Sequence, residues 1–372
     1  IAALRQTLSE QIEADRFRTQ IYRSSGRFNA YITRPKDVQQ WDEETKRKWL
    51  TAFREGWGSD GSNSGKMPLL EDGMEIARGD IKDVVLGVGQ TRDVTLAKVK
   101  ALVTAPQRPE AEYHIRFIAT QKEDTEWAKA GFEVASEQIL LRAATDRKPY
   151  EALGGGKLQI TETDNAVTIT GDHFSVAFVD GLLTAYTVNG KNMLAAPLTL
   201  QVFRLPTDNE RGRTGTYDRM GIRKLDFTPG KLEVTASKDK QSATVVAVNS
   251  YASSGNNRFT VRQTVDVLAD GVLIVNATVD PLPKGSELPR LGLRAELPKE
   301  YENMTWLGRG PHDSYADRKE SAFVGLHHSR VSEEWTNYVL PQEHGNKEEV
   351  RWIAITDDAG TGLMVVAPEQ IA

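Results

Sequence analysis

"AVTITGDHFSVAFVDGLLTAYTVNGKNML", residues 166–194, decides the fold class of most of this chain. Apolar Val167 and Ile169, then Phe174, Val176 and Phe178, alternate with other residues at the period of a strand that buries one face. Asp180-Gly181 and Asn189-Gly190 break the alternation, and both pairs tolerate the positive φ that a two-residue hairpin turn demands. Asp270-Gly271 repeats the signal downstream. The same texture continues in "KLQITET" (157–163), "KLEVTASKDKQSATVVAVNSY" (231–251) and "RFTVRQTVDVLADGVLIVNATVD" (258–280). An extended system of antiparallel sheets is the expectation for this region.

Upstream, "DVTLAKVKAL" (93–102), "EYHIRFIAT" (112–120) and "ASEQILLRA" (135–143) read as short strands of a sandwich. "TDRKPYEALGGGKL" (145–158), with a proline and three successive glycines, marks the boundary between the two β regions. The opening segment differs in kind. Leu4, Leu8 and Ile12, then Trp49, Leu50, Phe53 and Trp57, recur at helical spacing among charged residues and predict two helices. "WGSDGSNSGK" (57–66) follows as a linker. The division is therefore a helical segment and linker at 1–66, one β-sandwich at 67–146 and a second β region at 147–372. No period of about 20 to 50 residues signals a solenoid or propeller.

At 372 residues and 39% hydrophobic content the chain can bury more than one core. Its formal net charge of -5 argues against nucleic acid or an anionic membrane as a partner, since both require a concentrated basic surface. No apolar run reaches the roughly 20 residues of a membrane span, so a soluble protein is expected, in the cytoplasm or the periplasm. The chain opens on Ile1, which leaves a preceding start and a leader open. With no cysteine, disulfides, thiolate zinc sites and cysteine nucleophiles drop out together.

Four of the six histidines, His312, His327, His328 and His344, fall in one short window. Their spacing matches no metal-binding pattern, and no metal ligand is assigned. Neither a Gly-x-Ser-x-Gly nucleophile elbow nor a phosphate-cradling glycine loop is present. Three polar clusters stand out instead: "FRLPTDNERG" (203–212), "WLGRGPHDSYADRKES" (306–321) and "YVLPQEHGNKEEVRW" (338–352). Arg, Asp, Asn, Gln and Glu beside Trp and Tyr is the composition of a sugar cleft, where planar polar groups meet hydroxyls and rings stack on the sugar's apolar face. The same composition serves loops turned by Pro and Gly and pinned by Arg–Asp pairs, with Gly308, Gly310 and Pro311 making one such turn.

These three clusters, with "LPRLGLRAEL" (288–297), resemble the C-terminal β-supersandwich of the large bacterial β-galactosidases of glycoside hydrolase family 2. "EYHIRFIATQKEDTEWAKAGFEVASEQILL" (112–141) resembles the immunoglobulin-like domain before it, through Asp124, Trp127, Ala128, Gly131, Glu133, Glu137 and Gln138. "LLEDGMEIARGDI" (69–81) is similar to an earlier hairpin of that domain. The implied fold is mainly β: an immunoglobulin-like sandwich, then a galactose-mutarotase-like supersandwich that this chain leaves incomplete at Ala372. Residues 1–66 match nothing in the family.

The implied parent enzyme hydrolyses terminal β-galactosides with retention, using two glutamates. Both glutamates, and the Mg and Na ligands, belong to a TIM barrel that precedes the sandwich, so no catalytic residue and no cofactor is expected here. The implied partners are a β-galactoside or galactose, the barrel itself, and further copies in a homo-oligomer. The resemblance also implies that the supersandwich shapes the active-site mouth. Its Pro-x-Asp-Asn motif corresponds to Pro206, Asp208, Asn209 and Glu210, with Gly212 opening a mobile loop that continues as "RTGTYDRMG" (213–221). Arg204, Asp208, Asn209, Glu210, Gly212, Tyr315, Asp317, Arg318 and Glu343 are the candidates for ordering loops near the sugar. The family's sugar-stacking tryptophan falls beyond Ala372. Two other readings stand beside this one: a stand-alone carbohydrate-binding or oligomerising module, and an aldose 1-epimerase, whose fold is related.

Overall fold

The computed structural model describes residues 81, 87, 89–93, 111–144, 155–281 and 288–371. The chain divides into two compact units, Ile1–Lys148 and Pro149–Ala372. The expected helices and linker of 1–66 fall outside the described residues. So do the hairpin at 69–81 and the strand at 93–102, but for residues 81 and 93.

In the first unit, β1 (Tyr113–Thr120) pairs antiparallel with β2 (Glu133–Arg142). The connection between them is ordered by Asp124, whose carboxylate accepts the Ala130 amide at 3.0 Å and the Lys129 ammonium at 2.6 Å. Gly131, at φ +89°, makes the return into β2.

The second unit is β almost throughout, as the alternation predicts. One sheet runs in the order β3 (Gln159–Glu162), β4 (Ala166–Thr170), β5 (Phe174–Val179), β6 (Leu182–Val188), β7 (Lys191–Asn192). Its hairpin turns are the two read from sequence. Asp180 and Gly181 sit at φ 48° and 76°, Asn189 and Gly190 at 48° and 80°, so both central residues of each turn are left-handed. A second sheet orders β10 (Leu232–Ala236), β11 (Ser242–Ser253), β12 (Arg258–Leu268) and β13 (Leu273–Asp280), with β9 (Leu225–Thr228) also paired to β11.

Alternate residues of both sheets meet in one core. Val167, Ile169, Val176, Phe178 and Leu183 from the first pack with Val245, Ala247, Val265 and Val267 from the second. Each large apolar side chain buried this way contributes about 1.5–3 kcal/mol, so a charge at Val267 would open the sandwich. Asn249 is a polar residue of β11 that is almost fully buried. Its Oδ1 accepts the Gly230 amide at 2.9 Å and its Nδ2 donates to the Gly181 carbonyl at 2.8 Å, tying the two sheets together at a turn.

Beyond β8 (Ala196–Gln201), which pairs with β14 (Gly292–Glu296), the segment expected as a loop is helical. A 3₁₀ turn at Asp208–Arg213 runs into α1 (Thr214–Met220). The reason is burial: Tyr217 and Ile222 fill a second core with Leu200, Val202, Tyr251 and Phe259. The helix stops at Gly221, φ +63°, and its last carbonyl, on Met220, accepts from Ser253 Oγ and Asn257 Nδ2.

The last sheet orders β16 (Phe323–Arg330), β15 (Asn303–Gly310), β17 (Val350–Thr356) and β18 (Gly362–Ile371). Both neighbours of β15 run antiparallel to it, so β16 and β17 run parallel to each other. Parallel strands need a long crossover rather than a hairpin. Residues 331–349 supply it, passing from one end of the sheet to the other. Trp306, completely buried in β15, lies beneath this crossover, with Lys347 Nζ 4.7 Å from its ring centroid.

Gly308 and Gly310 lie within β15, not in a turn. A Cβ on Gly310 would come within 2.7 Å of the His327 ring and 2.9 Å of the Trp306 ring. These glycines are space for packing, which their place beside a proline disguised in the sequence.

Candidate functional site

Three loops converge in the second unit: 204–210 after β8, 311–318 after β15, and 342–348 at the end of the crossover. β15 ends where β17 begins, because the strands are antiparallel, and this places the last two loops side by side. Their joining is direct. The Ser314 amide donates to the Asn346 carbonyl at 2.8 Å, Asn346 Nδ2 returns a bond to the Ser314 carbonyl at 2.9 Å, and the Glu348 amide donates to Ser314 Oγ at 2.9 Å.

The 204–210 loop is closed on itself by Arg204 and Glu210. Two parallel bonds, at 2.6 and 2.9 Å, join guanidinium to carboxylate, the geometry that makes arginine the strongest partner for this group. Glu210 also accepts the Thr207 amide and hydroxyl, each at 3.0 Å. Burial alone would raise the proton affinity of Glu210; the Arg204 side chain and the Thr207 donors outweigh it and hold the carboxyl at about 2.

Glu343 fastens this loop to the crossover. Its carboxylate accepts the Leu205 amide at 3.1 Å and Arg290 Nη2 at 2.8 Å, while its own amide donates to the Pro206 carbonyl at 3.3 Å. Gln342 Oε1 accepts the Asp208 amide at 2.9 Å. Asn209 reaches the third loop, donating to Asp317 at 2.6 Å. Gly212 lies in the 3₁₀ turn beside open space.

Tyr315 lies under Arg204, whose guanidinium carbon is 5.9 Å from the ring centroid, and burial pushes its hydroxyl up to about 12. Tyr315 and Arg318 exchange backbone bonds that close a turn. Arg318 pairs with Asp313 rather than with Asp317, and it donates to Tyr338 Oη at 3.0 Å. Behind them Glu349 receives Arg309 at 2.9 Å and Lys319 at 3.2 Å. Burial would raise the Glu349 carboxyl, and these two cations overcome it and lower it.

The structure thus brings Arg204, Asp208, Asn209, Glu210, Tyr315, Asp317, Arg318 and Glu343 into one bonded cluster, with Gly212 at its edge. Arg290, Asp313, Gln342 and Tyr338 belong to the cluster as well and were not singled out in the sequence. Each stands inside a quoted motif, and only topology selects its partner. The tryptophans divide: Trp306 is core, whereas Trp335 is 71% exposed and stands edge-on to His344 with ring centroids 4.8 Å apart. A surface depression of about 330 Å³, lined by Asp218, Gly221, Arg223, Lys224, Asp226 and Ser254, contains none of the cluster residues. Among the described residues no group of three or more His, Asp or Glu side chains could hold a metal ion, and no helix is long and apolar enough to cross a membrane.

Comparison with known proteins adds the relationship. Residues 170–370 match the family described as β-galactosidase small chain, and residues 64–142 match β-galactosidase domain 4. The chain is similar to a β-galactosidase of Priestia megaterium, 30% identical over 258 residues, covering 68% of this chain and 24% of that protein. A β-galactosidase of Halalkalibacterium halodurans is 32% identical over 264 residues, 70% of this chain and 26% of that protein. One of Vibrio cholerae is 27% identical over 300 residues, 77% and 28% respectively. The chain therefore spans about a quarter of the length of the curated relatives it matches.

Proposed function

The chain belongs to the β-galactosidase small-chain family, and from that premise we propose that it is the non-catalytic part of a glycoside hydrolase family 2 enzyme that hydrolyses terminal β-D-galactosides with retention. In this reading the chain shapes the active-site mouth and contributes oligomer contacts. The carboxylate pair and the Mg and Na ligands come from a TIM barrel outside the residues described here.

One observation carries the reading: four carboxylates of the cluster, Glu210, Glu343, Asp313 and Asp317, are committed to holding loops. Glu210 is spanned by Arg204, Glu343 by Arg290 and the Leu205 amide, Asp313 by Arg318, and Asp317 by Asn209. A glycosidase acid needs a proton affinity raised towards neutrality beside an ionised partner. Glu210 and Glu349 are both displaced downward, under the cations already named. Such groups stay ionised and cannot protonate a leaving oxygen near neutral pH. What the cluster can do is fix three loops relative to one another, which is what the rim of a sugar site requires.

The test is hydrolysis of an aryl β-galactoside by this chain alone and by this chain mixed with the remaining part of the Priestia megaterium β-galactosidase, from which the matched stretch has been removed. Activity only in the mixture is the expected result. Turnover at enzymatic rates by the chain alone would refute the assignment of catalysis to another domain.

A further inference from the structure

Three hairpin turns of the second unit place a glycine after Asp or Asn, and they differ in how they are held. At Asp180-Gly181, Asn165 Nδ2 donates to the Asp180 carboxylate at 3.0 Å, and a Cβ on the buried Gly181 would lie 2.2 Å from Asn249 Oδ1. At Asp270-Gly271, the aspartate accepts the Val272 amide at 3.1 Å and the Gly271 amide donates to the Leu268 carbonyl at 2.9 Å. Asn189-Gly190 has neither kind of support. Both residues are exposed, and a Cβ on Gly190 would meet nothing within 4 Å. Among the described residues, neither the Asn189 side chain nor the Gly190 amide has a hydrogen-bond partner. The turn also closes the shortest arm of its sheet: β7 is two residues long, lies at the edge, and pairs with β6 through Thr187 with Asn192 and Val188 with Lys191. Opening such an arm costs little, because few backbone bonds hold it and both residues of β7 are exposed.

We infer that Asn189 is a site of spontaneous covalent modification, at which its side-chain amide is lost to attack by the Gly190 nitrogen, with water as the co-reactant. The deprotonated Gly190 nitrogen bonds to Asn189 Cγ and the Cγ–Nδ2 bond breaks. The side-chain nitrogen departs as ammonia, taking back from solvent the proton that Gly190 gave up. Water then opens the cyclic imide at one of its two carbonyls, giving aspartate or, where the main chain now runs through the former side-chain carbonyl carbon, isoaspartate. Nothing is oxidised or reduced. The following residue decides the rate of the first step, since a nitrogen without a neighbouring Cβ approaches Cγ with the least hindrance, and Asn189 is the one asparagine of the chain followed by glycine. The aspartates of the other two turns resist the same attack, because an ionised carboxylate repels an anionic nitrogen and their bonds hold the turn in place. Isoaspartate lengthens the main chain by a methylene, and a two-residue turn cannot absorb that without disturbing the pairing of Val188 with Lys191. The new carboxylate also lies beside Lys191, whose ammonium reaches Asp357 at 3.2 Å in the turn between β17 and β18. The modification therefore acts on the contact that ties this hairpin to the last sheet.

The test holds the purified full chain in mildly acidic and in mildly alkaline buffer and follows each asparagine by peptide mapping with mass spectrometry. Isoaspartate is counted in the same samples by enzymatic methylation of its carboxyl. Asn276, exposed in β13 and followed by alanine, is the internal reference. The expected result is conversion at Asn189 at least about tenfold faster than at Asn276, a difference of about 1.4 kcal/mol in barrier. Conversion should be faster in the alkaline buffer, where more of the Gly190 amide is deprotonated. Asn189→Gly, which keeps a turn able to adopt positive φ, should abolish the isoaspartate signal and leave hydrogen exchange in β4 and β5 unchanged. Conversion at Asn189 no faster than at Asn276, or a rate that does not rise with base, would overturn the inference. So would an isoaspartate signal that persists undiminished in Asn189→Gly, since it would come from another residue.

Discussion

Glu343→Ala tests whether the 204–210 loop is ordered by the bond across to the crossover. The substitution removes the acceptor for the Leu205 amide, 3.1 Å away, and the partner of Arg290 at 2.8 Å. The amide bond is worth about 1 kcal/mol net. Arg290 is 38% exposed, so solvent screening limits the ion pair to about 1 kcal/mol at most. The sum, about 2 kcal/mol, appears as easier opening of the loop rather than as global unfolding, because no core residue is touched. It corresponds to a roughly 30-fold faster hydrogen exchange at the Leu205 and Asp208 amides, at about 1.4 kcal/mol per factor of ten. Amides of β11 and β12 should be unaffected. Glu343→Gln, which keeps a neutral acceptor, should lose less than about tenfold. Unchanged exchange at Leu205 in the alanine variant would refute the argument, and so would an equal rise throughout the unit, which would make Glu343 a global support.

Two further outcomes follow from the same bonds. Asn249→Ala strands the Gly230 amide and the Gly181 carbonyl in a buried site, and urea denaturation should show a loss of about 2–4 kcal/mol; a loss below about 1 kcal/mol would mean that these groups find other partners. Glu210, held at about 2 against an ordinary 4.5, has a folded-state value below its unfolded one. It therefore stabilises the chain above about pH 4.5, and that contribution disappears as pH falls through about 2. For a pair this near the surface the effect is about 1–2 kcal/mol, so wild type and Glu210→Gln should differ at pH 7 and converge near pH 2; a constant difference across that range would refute the linkage.

Much of the fold was legible because its signals are local. The type I′ turns at 180–181 and 189–190 need two left-handed residues, and Asp-Gly and Asn-Gly announce them. Burial alternates along β11 and β12 as their sequences do. The helix at Thr214–Met220 was not legible, since seven residues with one glycine inside and another directly after carry no clear periodicity, and it exists because Tyr217 enters a core built by distant strands. The site was legible as composition, not as pairing. Nothing within "HDSYADR" (312–318) says that Arg318 takes Asp313 while Asp317 turns to Asn209; that choice follows from where the 204–210 loop lies.

The parallel relation of β16 and β17 accounts for most of what is distinctive here. A hairpin between them was barred once both paired with β15, so the chain had to return the length of the sheet through residues 331–349. That path covers Trp306, and Lys347 is the contact that seals it, its ammonium over the ring and its charge met by Glu334. At its far end the path delivers Gln342 and Glu343 to the backbone amides of Asp208 and Leu205, which a short turn could not have reached. Between these two anchorages Trp335, Val339 and Leu340 have no sheet face of their own to cover. Their exposure is thus a consequence of the topology.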